Sequence, residues 1–529
     1  MKTTFVSMLL VLLHLAVFSQ FREVGKSQPF VEPEEGYARI LQLKNGNTAL
    51  IVVTKKDGID MRLYDDQYQN KLNKKLSPRY GKLEKPTVEG MFEVNGDVVC
   101  LIQDHRDNVP TLFRLVIDGS KGVIRKEDVV GELPKISKLS WTKMEYNRQP
   151  LPDFYVKKDP DSDHYGIVLF NSTEPDRSKR VEVVTFTPGH EISGRSYLAF
   201  PQQKYQFITY LDMAFVNGDA LVFGYGFSEK GKSNKQNTML VGSLKAGSRK
   251  MEVKEVKFTH NLEVKSAITK FNKASGNFLV LMFIPTSGNY GEIWMADFDP
   301  RTLDVVKKEE AYFSGPAAAA KALFGKKGDF RGTPVNLFVH ADGSYSIALE
   351  EISYMNSGNY NSVLYATVGS LVIADFDKEG RFTRFYYLPK EHVVSSYRHD
   401  EAPKAFYHHY MENAAWPLYA GNQFKSFVYL RNAGNPFVLY NDFMENREGI
   451  TAGKIKTVRW VSECDAYRFA LNDQQIPTGE LFFGLPAKNQ HNLALFPVSA
   501  YNPDKNRYVT LRLITEERNK SVQLVWMEI

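Results

Sequence analysis

Short apolar runs alternate with turn-forming residues along most of this chain. The clearest signals are three Asn-Gly pairs, at residues 45–46, 95–96 and 217–218, each standing between two runs rich in β-forming residues. Asn-Gly favours a type I′ turn, because both central residues of that turn need a positive φ. The pattern therefore predicts β-hairpins at all three places.

The hairpins belong to a larger repeat. The first two Asn-Gly hairpins are each followed by a polar loop and a second hairpin. Weaker copies have their first turns at residues 159–163, 274–277, 341–344, 432–435 and 502–506. Units of four short strands, recurring every ~50 to 90 residues, are typical of a β-propeller. We count eight units, or seven if one is a distorted insertion. The alternative is two stacked β-sandwich domains.

The ends of the repeat indicate how such a ring closes. The eighth unit shows three strands, the last at residues 522–527, and residues 21–31 have no other partner in the pattern. We therefore expect residues 21–31 to supply its fourth strand. The predicted fold class is all-β, with one propeller domain over residues 20–529.

Two insertions interrupt the repeat, near residues 314–333 and 390–422. The alanine-rich stretch 317–323 predicts about two turns of helix, which Gly325 would end. A second helical candidate lies within residues 391–420.

The N-terminus predicts export. Lys2 precedes an apolar run over residues 8–18, and small residues follow, which is the pattern of a secretory signal peptide. We place it at residues 1–19, with cleavage before Gln20. A membrane anchor is the alternative, but the run is shorter than the ~20 residues that a membrane span needs. The mature chain is expected to be periplasmic or secreted, with no further transmembrane segment.

Composition narrows the function classes. Hydrophobic residues make up 43% of the chain, enough to build a core, so wholesale disorder is excluded. The net charge is +6 over 529 residues with no arginine-rich block, so nucleic acid is not an expected partner. Cys100 and Cys464 lie far apart in strand-like stretches, and we expect two buried free thiols in preference to a disulfide.

Candidate site residues follow from propeller geometry. The connections from second to third strands and those between blades emerge on one face, so residues that are distant in sequence gather there. Polar and aromatic residues in these connections are the candidates: Asp104, His105, Glu350, Glu351, Tyr354, His399, Asp400, His408, His409, Tyr410, Trp416, Asn441 and Asp442.

Their spacing does not match a known catalytic or metal motif. Residues 399–400 and 408–409 offer nitrogen and oxygen donors, but not at the i, i+4 spacing of a His-Glu-x-x-His zinc site. We therefore expect residues 390–422 to pack aromatic side chains onto the blades, with an aromatic binding surface as the alternative. Glu350 and Glu351 face opposite ways on a strand, so they cannot serve as an acid and nucleophile pair, and we expect them to be solvated. No metal or other cofactor is predicted.

Some motifs point to a broader group of proteins. These are the acidic turn at residues 159–163, the Ala-Asp-Phe-Asp hairpins at 296–299 and 374–377, and the run at 437–442. With them the chain resembles the extracytoplasmic β-propellers of Gram-negative bacteria, in the broad TolB-like and WD40-like sense. The resemblance implies a fold and a compartment but no activity.

The function expected from these features is binding. A repeat scaffold with a signal peptide, an aromatic insertion and no catalytic motif favours a non-enzymatic protein that recognises an envelope or outer-membrane-associated protein through one loop face. Two alternatives stay open. One is a hydrolase acting on a glycan or peptide with acids of the same face, and the other is a lectin-like module.

Overall fold

Eight antiparallel sheets of four principal strands form a β-propeller. The computed structural model describes the following residues: 21–33, 35–56, 58–135, 137, 151–200, 205–227, 238–256, 264, 266–285, 291–311, 315–325, 328–355, 364–396, 415–418, 421–432, 435–450, 453–516 and 519–529. The predicted all-β fold is confirmed, and so is the count of eight blades.

Blades 1 to 4 use consecutive strands, while the first strand of the chain belongs to blade 8. The strands are β1 (Arg22–Lys26) of blade 8; β2 (Gly36–Gln42), β3 (Thr48–Thr54), β4 (Gly58–Tyr64) and β5 (Asn70–Leu76) of blade 1; β6 (Thr87–Val94), β7 (Asp97–Arg106), β8 (Val109–Asp118) and β9 (Ile124–Glu132) of blade 2; β10 (Asp153–Lys158), β11 (Tyr165–Phe170), β12 (Val181–Phe186) and β13 (Ile192–Tyr197) of blade 3; β14 (Phe207–Val216), β15 (Asp219–Phe227), β16 (Thr238–Leu244) and β17 (Glu252–Val256) of blade 4.

Blades 5 to 8 follow the same order, with two extra strands from the second insertion. The strands are β18 (Ser266–Asn272), β19 (Asn277–Pro285), β20 (Gly291–Phe298) and β21 (Val305–Glu310) of blade 5; β22 (Gly332–Val339), β23 (Tyr345–Met355), β24 (Leu364–Phe376), β25 (Phe382–Leu388) and the added β26 (His392–Ser396) of blade 6; β27 (Trp416–Leu418), added to blade 1; β28 (Val428–Asn432), β29 (Asn435–Asp442), β30 (Asp465–Ala470) and β31 (Gly479–Leu481) of blade 7; β32 (Gln490–Ala494), β33 (Ala500–Asn502), β34 (Arg507–Glu516) and β35 (Asn519–Glu528) of blade 8.

The first strand of each blade lies nearest the axis of the ring. Asp212 of β14 shows this arrangement, because it bridges three neighbouring blades. Its carboxylate accepts hydrogen bonds from the Thr269 amide of β18 at 2.6 Å and from the Lys157 ammonium of β10 at 3.2 Å. The carboxylate is 2% exposed, so these contacts are shielded from water.

Two of the three predicted Asn-Gly turns have the predicted geometry. Asn95 and Gly96 have φ values of 49° and 86°, and Asn217 and Gly218 have 52° and 84°. Both hairpins are therefore type I′. The pair at residues 45–46 differs: β2 and β3 pair Gln42 with Thr48, which leaves a longer turn.

The ring closes as predicted. β1 pairs antiparallel with β35, with Arg22 opposite Glu528, so residues near the start of the chain form the outer strand of blade 8. Trp526 of β35 then joins blade 8 to blade 1. Its indole nitrogen donates to the Thr48 hydroxyl at 3.1 Å, and the side chain is almost fully buried.

One predicted helix is confirmed, and the other stays a prediction, because most of residues 391–420 lie outside the described residues. Helix α1 (Gly315–Phe324) covers the alanine-rich stretch and ends at Gly325, whose φ is +66°. The described residues of the second insertion include the two strands β26 and β27. Pairing with β24 and β2 satisfies their backbone groups, which local propensity does not foresee. An unpredicted helix, α2 (Met444–Gly449), follows β29. Short 3₁₀ turns lie at Arg177–Lys179, Asn422–Phe424 and Phe496–Val498.

The second insertion runs from blade 6 to the inner edge of blade 1. β26 continues the line of β25 along β24, and β27 then pairs with β2, on the side of β2 that faces the axis. Residues 421–427 lead from there to blade 7. Trp416, Leu418 and Phe424 pack into one core with residues of blades 1, 7 and 8. The described residues of this insertion from Trp416 onwards therefore lie inside the ring.

The ring has two distinct faces. Connections from second to third strands and between blades leave on the loop face, whereas the hairpin turns from first to second and from third to fourth strands form the turn face. Among the described connections, Lys and Arg outnumber Asp and Glu on the loop face, and the reverse holds on the turn face.

Other sequence predictions have different outcomes. Cys100 and Cys464 are buried free thiols, as expected. The signal peptide lies outside the described residues and stays a prediction. No helix in the described part of the chain is long and apolar enough to cross a membrane.

Removing the closing strand tests the ring. A chain that begins at residue 32 loses the hydrogen bonds of β1 to β35 and exposes the core beside Trp526. Unpaired backbone groups cost about 1–3 kcal/mol each, so we expect the midpoint of thermal unfolding to fall by more than ~5 °C. Circular dichroism during heating measures it. Arg22→Ala is the matched control, because it removes only an exposed ion pair with Glu528 and should change little. Equal midpoints for the truncated and full chains would contradict closure by β1.

Candidate functional site

Three of the predicted site acids are fully buried. Asp104 and Asp442 stand at or near the loop-face ends of the second strands of blades 2 and 7, Glu350 stands in the middle of the second strand of blade 6, and each is 0% exposed. The expectation that Glu350 is solvated is therefore wrong. A buried carboxylate needs hydrogen bonds or a cation, and each of the three has such partners within the chain.

Asp104 holds the connection between blades 1 and 2. Its carboxylate accepts hydrogen bonds from the amides of Glu84 at 2.9 Å and Lys85 at 2.7 Å, and Arg106 lies 3.3 Å away. All these partners belong to the protein itself, so Asp104 acts as a brace. His105, the next residue, is partly exposed.

Glu350 and Glu351 brace different elements. Glu350 pairs with Lys390 at 2.5 Å, with both side chains fully buried, where β25 passes into β26. Glu351 accepts hydrogen bonds from the amides of Arg331 and Ser370, both at 3.2 Å. Burial raises the pKa of Glu351. The two carboxylates do not converge on a common site, which agrees with the sequence argument against an acid and nucleophile pair.

Asp442 fixes the start of the connection between β29 and β30. It pairs with Arg447 of α2, and its other oxygen accepts hydrogen bonds from Asn446 at 2.7 Å and from the Phe443 amide at 2.9 Å. Burial raises the pKa of Asp442, whereas Arg447 favours its charged form. The carboxylate therefore holds α2 against the end of β29.

Asn441 joins three parts of the loop face. Its amide nitrogen donates to the carbonyls of Phe424 and Ala494, both at 2.8 Å, and its oxygen accepts from the Ala494 amide at 2.9 Å. The side chain thus links blade 7 to blade 8 and to the insertion inside the ring. It is buried, so it is not accessible to a ligand.

The remaining candidates are a buried tryptophan, a tyrosine whose strand pairing is described, and five residues outside the described part of the chain. Trp416 is buried in the core, so it is not available to a partner, and the packing interpretation is correct for this residue. Tyr354 lies in β23, paired with Ala366. The other five lie outside the described residues: His399, Asp400, His408, His409 and Tyr410.

A loop that sequence reasoning missed is held firmly on this face. We call residues 453–463, between α2 and β30, the anchored loop. The Lys456 amide donates to the Asn446 side chain at 2.6 Å, and the Lys456 carbonyl accepts from Asn446 at 2.9 Å. Val458 exchanges backbone hydrogen bonds with Glu391 and Val393 of blade 6, at 2.8 and 3.0 Å.

Lys425 completes the attachment of the anchored loop. Its ammonium donates to the carbonyls of Val393 at 2.6 Å and Arg459 at 2.9 Å. Burial lowers the pKa of Lys425 to about 8, so most of the ammonium is still protonated at neutral pH. The insertion, blade 6 and the anchored loop are therefore tied together by one lysine.

The anchored loop presents an exposed tryptophan. Trp460 is 79% exposed, although the residues on both sides of it are held in place. Two further large apolar residues on loop-face connections are as exposed: Leu485, between blades 7 and 8, at 86%, and Val31, between blades 8 and 1, at 83%. The length of the connection after β29 was the available sequence signal, but sequence does not reveal which of its residues are exposed.

Two groupings of side chains resemble parts of hydrolase sites, and one of them has a structural explanation. The Ser346 hydroxyl donates to Asp375 at 2.6 Å and lies 2.8 Å from His340 Nε2, so His340 and Asp375 both contact the serine and not each other. Ser346 is fully buried, which rules it out as a nucleophile. On the loop face, His491 Nδ1 lies 2.9 Å from Asp465 and is partly exposed.

No metal centre is found in the part of the chain that the structure describes. There, no group of three or more His, Cys, Asp or Glu residues could hold a metal ion. The histidines of residues 397–414 lie outside that part.

Comparisons with known proteins find only weak structural likenesses. No protein-family profile matches the chain, and no curated protein does. The WD40 domain of SCAP from fission yeast is similar over 96% of this chain and 98% of its own, at 8% identity and a TM-score of 0.38. Dipeptidyl peptidase 4 of Porphyromonas gingivalis is similar over 94% of this chain and 59% of its own, at 8% identity and a TM-score of 0.41. A Dyadobacter fermentans protein of unknown function is similar over 97% of this chain and 100% of its own, at 10% identity and a TM-score of 0.33. Likenesses this weak carry no argument about activity.

The Asp442 brace is testable. Asp442→Asn removes the charge that faces Arg447 and leaves a buried, unpaired guanidinium. We expect the free energy of unfolding to fall by about 3–5 kcal/mol and amide hydrogens of the anchored loop to exchange faster. Denaturant unfolding and hydrogen exchange measure the two effects. Glu445→Gln, on the exposed side of the same helix, is the control and should leave both nearly unchanged. Equal effects of the two substitutions would refute the brace.

Acid should destabilise the folded state through His340. Burial lowers the pKa of His340 from 6.5 to about 4. The unfolded chain therefore takes up this proton at a higher pH than the folded chain does, and stability is lost as pH falls from 6.5 towards 4. His340→Gln keeps a polar atom towards Ser346 but cannot titrate. Thermal midpoints at several pH values should fall less steeply for this variant than for the wild type, and identical slopes would contradict the assignment.

Proposed function

We propose that this protein is a non-enzymatic binding scaffold of the cell envelope, which recognises a protein partner through the loop face of blades 7 and 8. One observation carries the proposal. The predicted site acids Asp104, Glu350 and Asp442 are buried as braces, whereas Trp460, Leu485 and Val31 are largely exposed. A catalytic face needs polar groups that meet the substrate, and a recognition face needs exposed apolar anchors.

The rigidity of the anchored loop supports recognition. A side chain on a loop that is already fixed loses little conformational freedom when it binds, so more of its contact energy appears as affinity. Trp is enriched among residues that dominate binding energy at protein interfaces. An exposed Trp on a braced loop is therefore a natural anchor for a partner.

The proposed compartment rests on the sequence. The signal-peptide pattern at residues 1–19 supports export, and it makes a protein of the envelope or outer membrane the expected class of partner. A lectin-like role is less well supported, since it would call for repeated aromatic platforms.

A hydrolase is the second candidate, and one pair of residues favours it. His491 is partly exposed on the loop face, and Asp465 orients its ring at 2.9 Å, as in a general base. Glu445, an exposed acid of the same face, lies in an ion pair with Lys456. If His491→Ala abolished hydrolysis of a glycan or peptide by the purified chain, this second function would replace the first.

Capture from native envelopes tests the proposal. The tagged chain is crosslinked briefly in cells and purified from mildly solubilised envelopes. We expect one stoichiometric protein partner, crosslinked to the loop face of blades 7 and 8, and a loss of most of it with Trp460→Ala. Ile192→Ala is the matched control, since Ile192 is exposed on an outer strand of blade 3 and should not matter. An isolated monomer, or capture that is equal with both variants, would refute the proposal.

A further inference from the structure

The anchored loop carries exposed cationic side chains besides its exposed tryptophan. Lys454 and Arg459 are exposed, and within the described residues neither pairs with a carboxylate. Lys456 differs, because its ammonium forms ion pairs with Glu445 at 3.4 Å and Glu463 at 3.8 Å. Trp460 therefore lies on a loop whose exposed cations Lys454 and Arg459 remain available to a partner.

The same combination occurs beside the second apolar residue. Lys488 is exposed in the connection that carries Leu485, between blades 7 and 8. Contacts between the two blades place this connection next to the anchored loop's blade: Asn441 of blade 7 binds the Ala494 backbone of blade 8. Exposed apolar side chains and unpaired cations thus recur on adjacent blades of one face.

The geometry points to an acidic protein segment as the occupant of this surface. We infer that the partner binds with carboxylates towards Arg459, Lys454 and Lys488, and with an apolar side chain against Trp460. The inference rests on the proposed function and adds the chemistry of its partner. Charge complementarity carries it, since the loop face as a whole is basic in its described connections.

The anchored loop is built to keep those side chains outward. Arg459 is held through its carbonyl by Lys425 at 2.9 Å, and among the described residues its guanidinium has no ion-pair partner. Thr457 binds Glu391 at 2.7 Å through its side chain, on the inner side of the loop. The attachment therefore uses the backbone and inward side chains, while Arg459 and Trp460 face solvent.

A basic face also has a kinetic consequence. Long-range attraction raises the association rate of an oppositely charged partner, and salt screens this attraction with a Debye length of about 8 Å at physiological ionic strength. Association of an acidic segment should therefore slow as salt rises. Replacing Arg459 by Glu should slow it and flatten the salt dependence.

A displayed random-peptide library tests the inference. The chain from residue 20 is immobilised, binding peptides are selected, and the strongest peptide is measured against variants by surface plasmon resonance. We expect acidic peptides with an aromatic or aliphatic residue. Trp460→Ala should weaken affinity about tenfold or more, and Arg459→Glu should lower the association rate several-fold. Lys378→Glu, an exposed change on the turn face, is the control and should have little effect.

Three outcomes would overturn the inference. The first is enrichment of neutral or basic peptides. The second is an association rate that neither salt nor Arg459→Glu alters. The third is binding to phosphatidylglycerol vesicles, but not to phosphatidylcholine vesicles, that depends on Trp460 when no acidic peptide is selected, since the occupant would then be a membrane.

The inference can fail separately from the proposed function. If the envelope partner is captured in a Trp460-dependent way but binds the Arg459→Glu variant at an unchanged rate, the acidic-partner inference fails and the scaffold function stands. Because Arg459, Trp460 and Lys378 are exposed, we expect their variants to fold, and equal thermal midpoints verify this.

Discussion

Closure of the ring is the constraint on which the rest of this structure depends. An open propeller would leave one sheet edge unpaired and one blade interface uncovered, and each unpaired buried backbone group is costly. β1 prevents this by pairing with β35, and Trp526 then reaches across to Thr48 of blade 1. Each blade has four principal antiparallel strands, so all first strands run in the same direction and the connections between blades emerge on one face. The insertion and the anchored loop meet there for that reason.

On the loop face, buried charged residues stabilise the fold and exposed apolar residues remain available for binding. Carboxylates placed there by the repeat, such as Glu350 and Asp442, are buried and paired with Lys390 and Arg447. A buried charge is tolerated only with such a partner, and its removal leaves the other charge exposed to a low dielectric. These pairs stabilise the bases of the connections, while Trp460 projects from the surface. The polar residues that first suggest catalysis therefore support the loop that presents an apolar anchor.

Local signals explain what could be predicted from the sequence. The Asn95-Gly96 turn and the end of α1 at Gly325 depend only on neighbouring residues. The ring and its closure could be predicted because the strands recur periodically along the chain. Pairing of β27 with β2 could not be predicted, since it joins residues far apart in the chain. The burial of Asp442 could not be predicted either, because it depends on a helix that brings Arg447 to it. Exposure of Trp460 has no sequence signature, so the best candidate anchor was missed.

Hydroxyl-radical footprinting in intact cells tests the central claim most directly. It reports the solvent exposure of each side chain where the protein works. If the loop face of blades 7 and 8 holds a partner, Trp460 and Leu485 should be oxidised much less in cells than in the purified chain, while Ile192 on the outside of blade 3 should be oxidised equally in both. Equal oxidation of Trp460 in cells and in the purified chain would contradict the account.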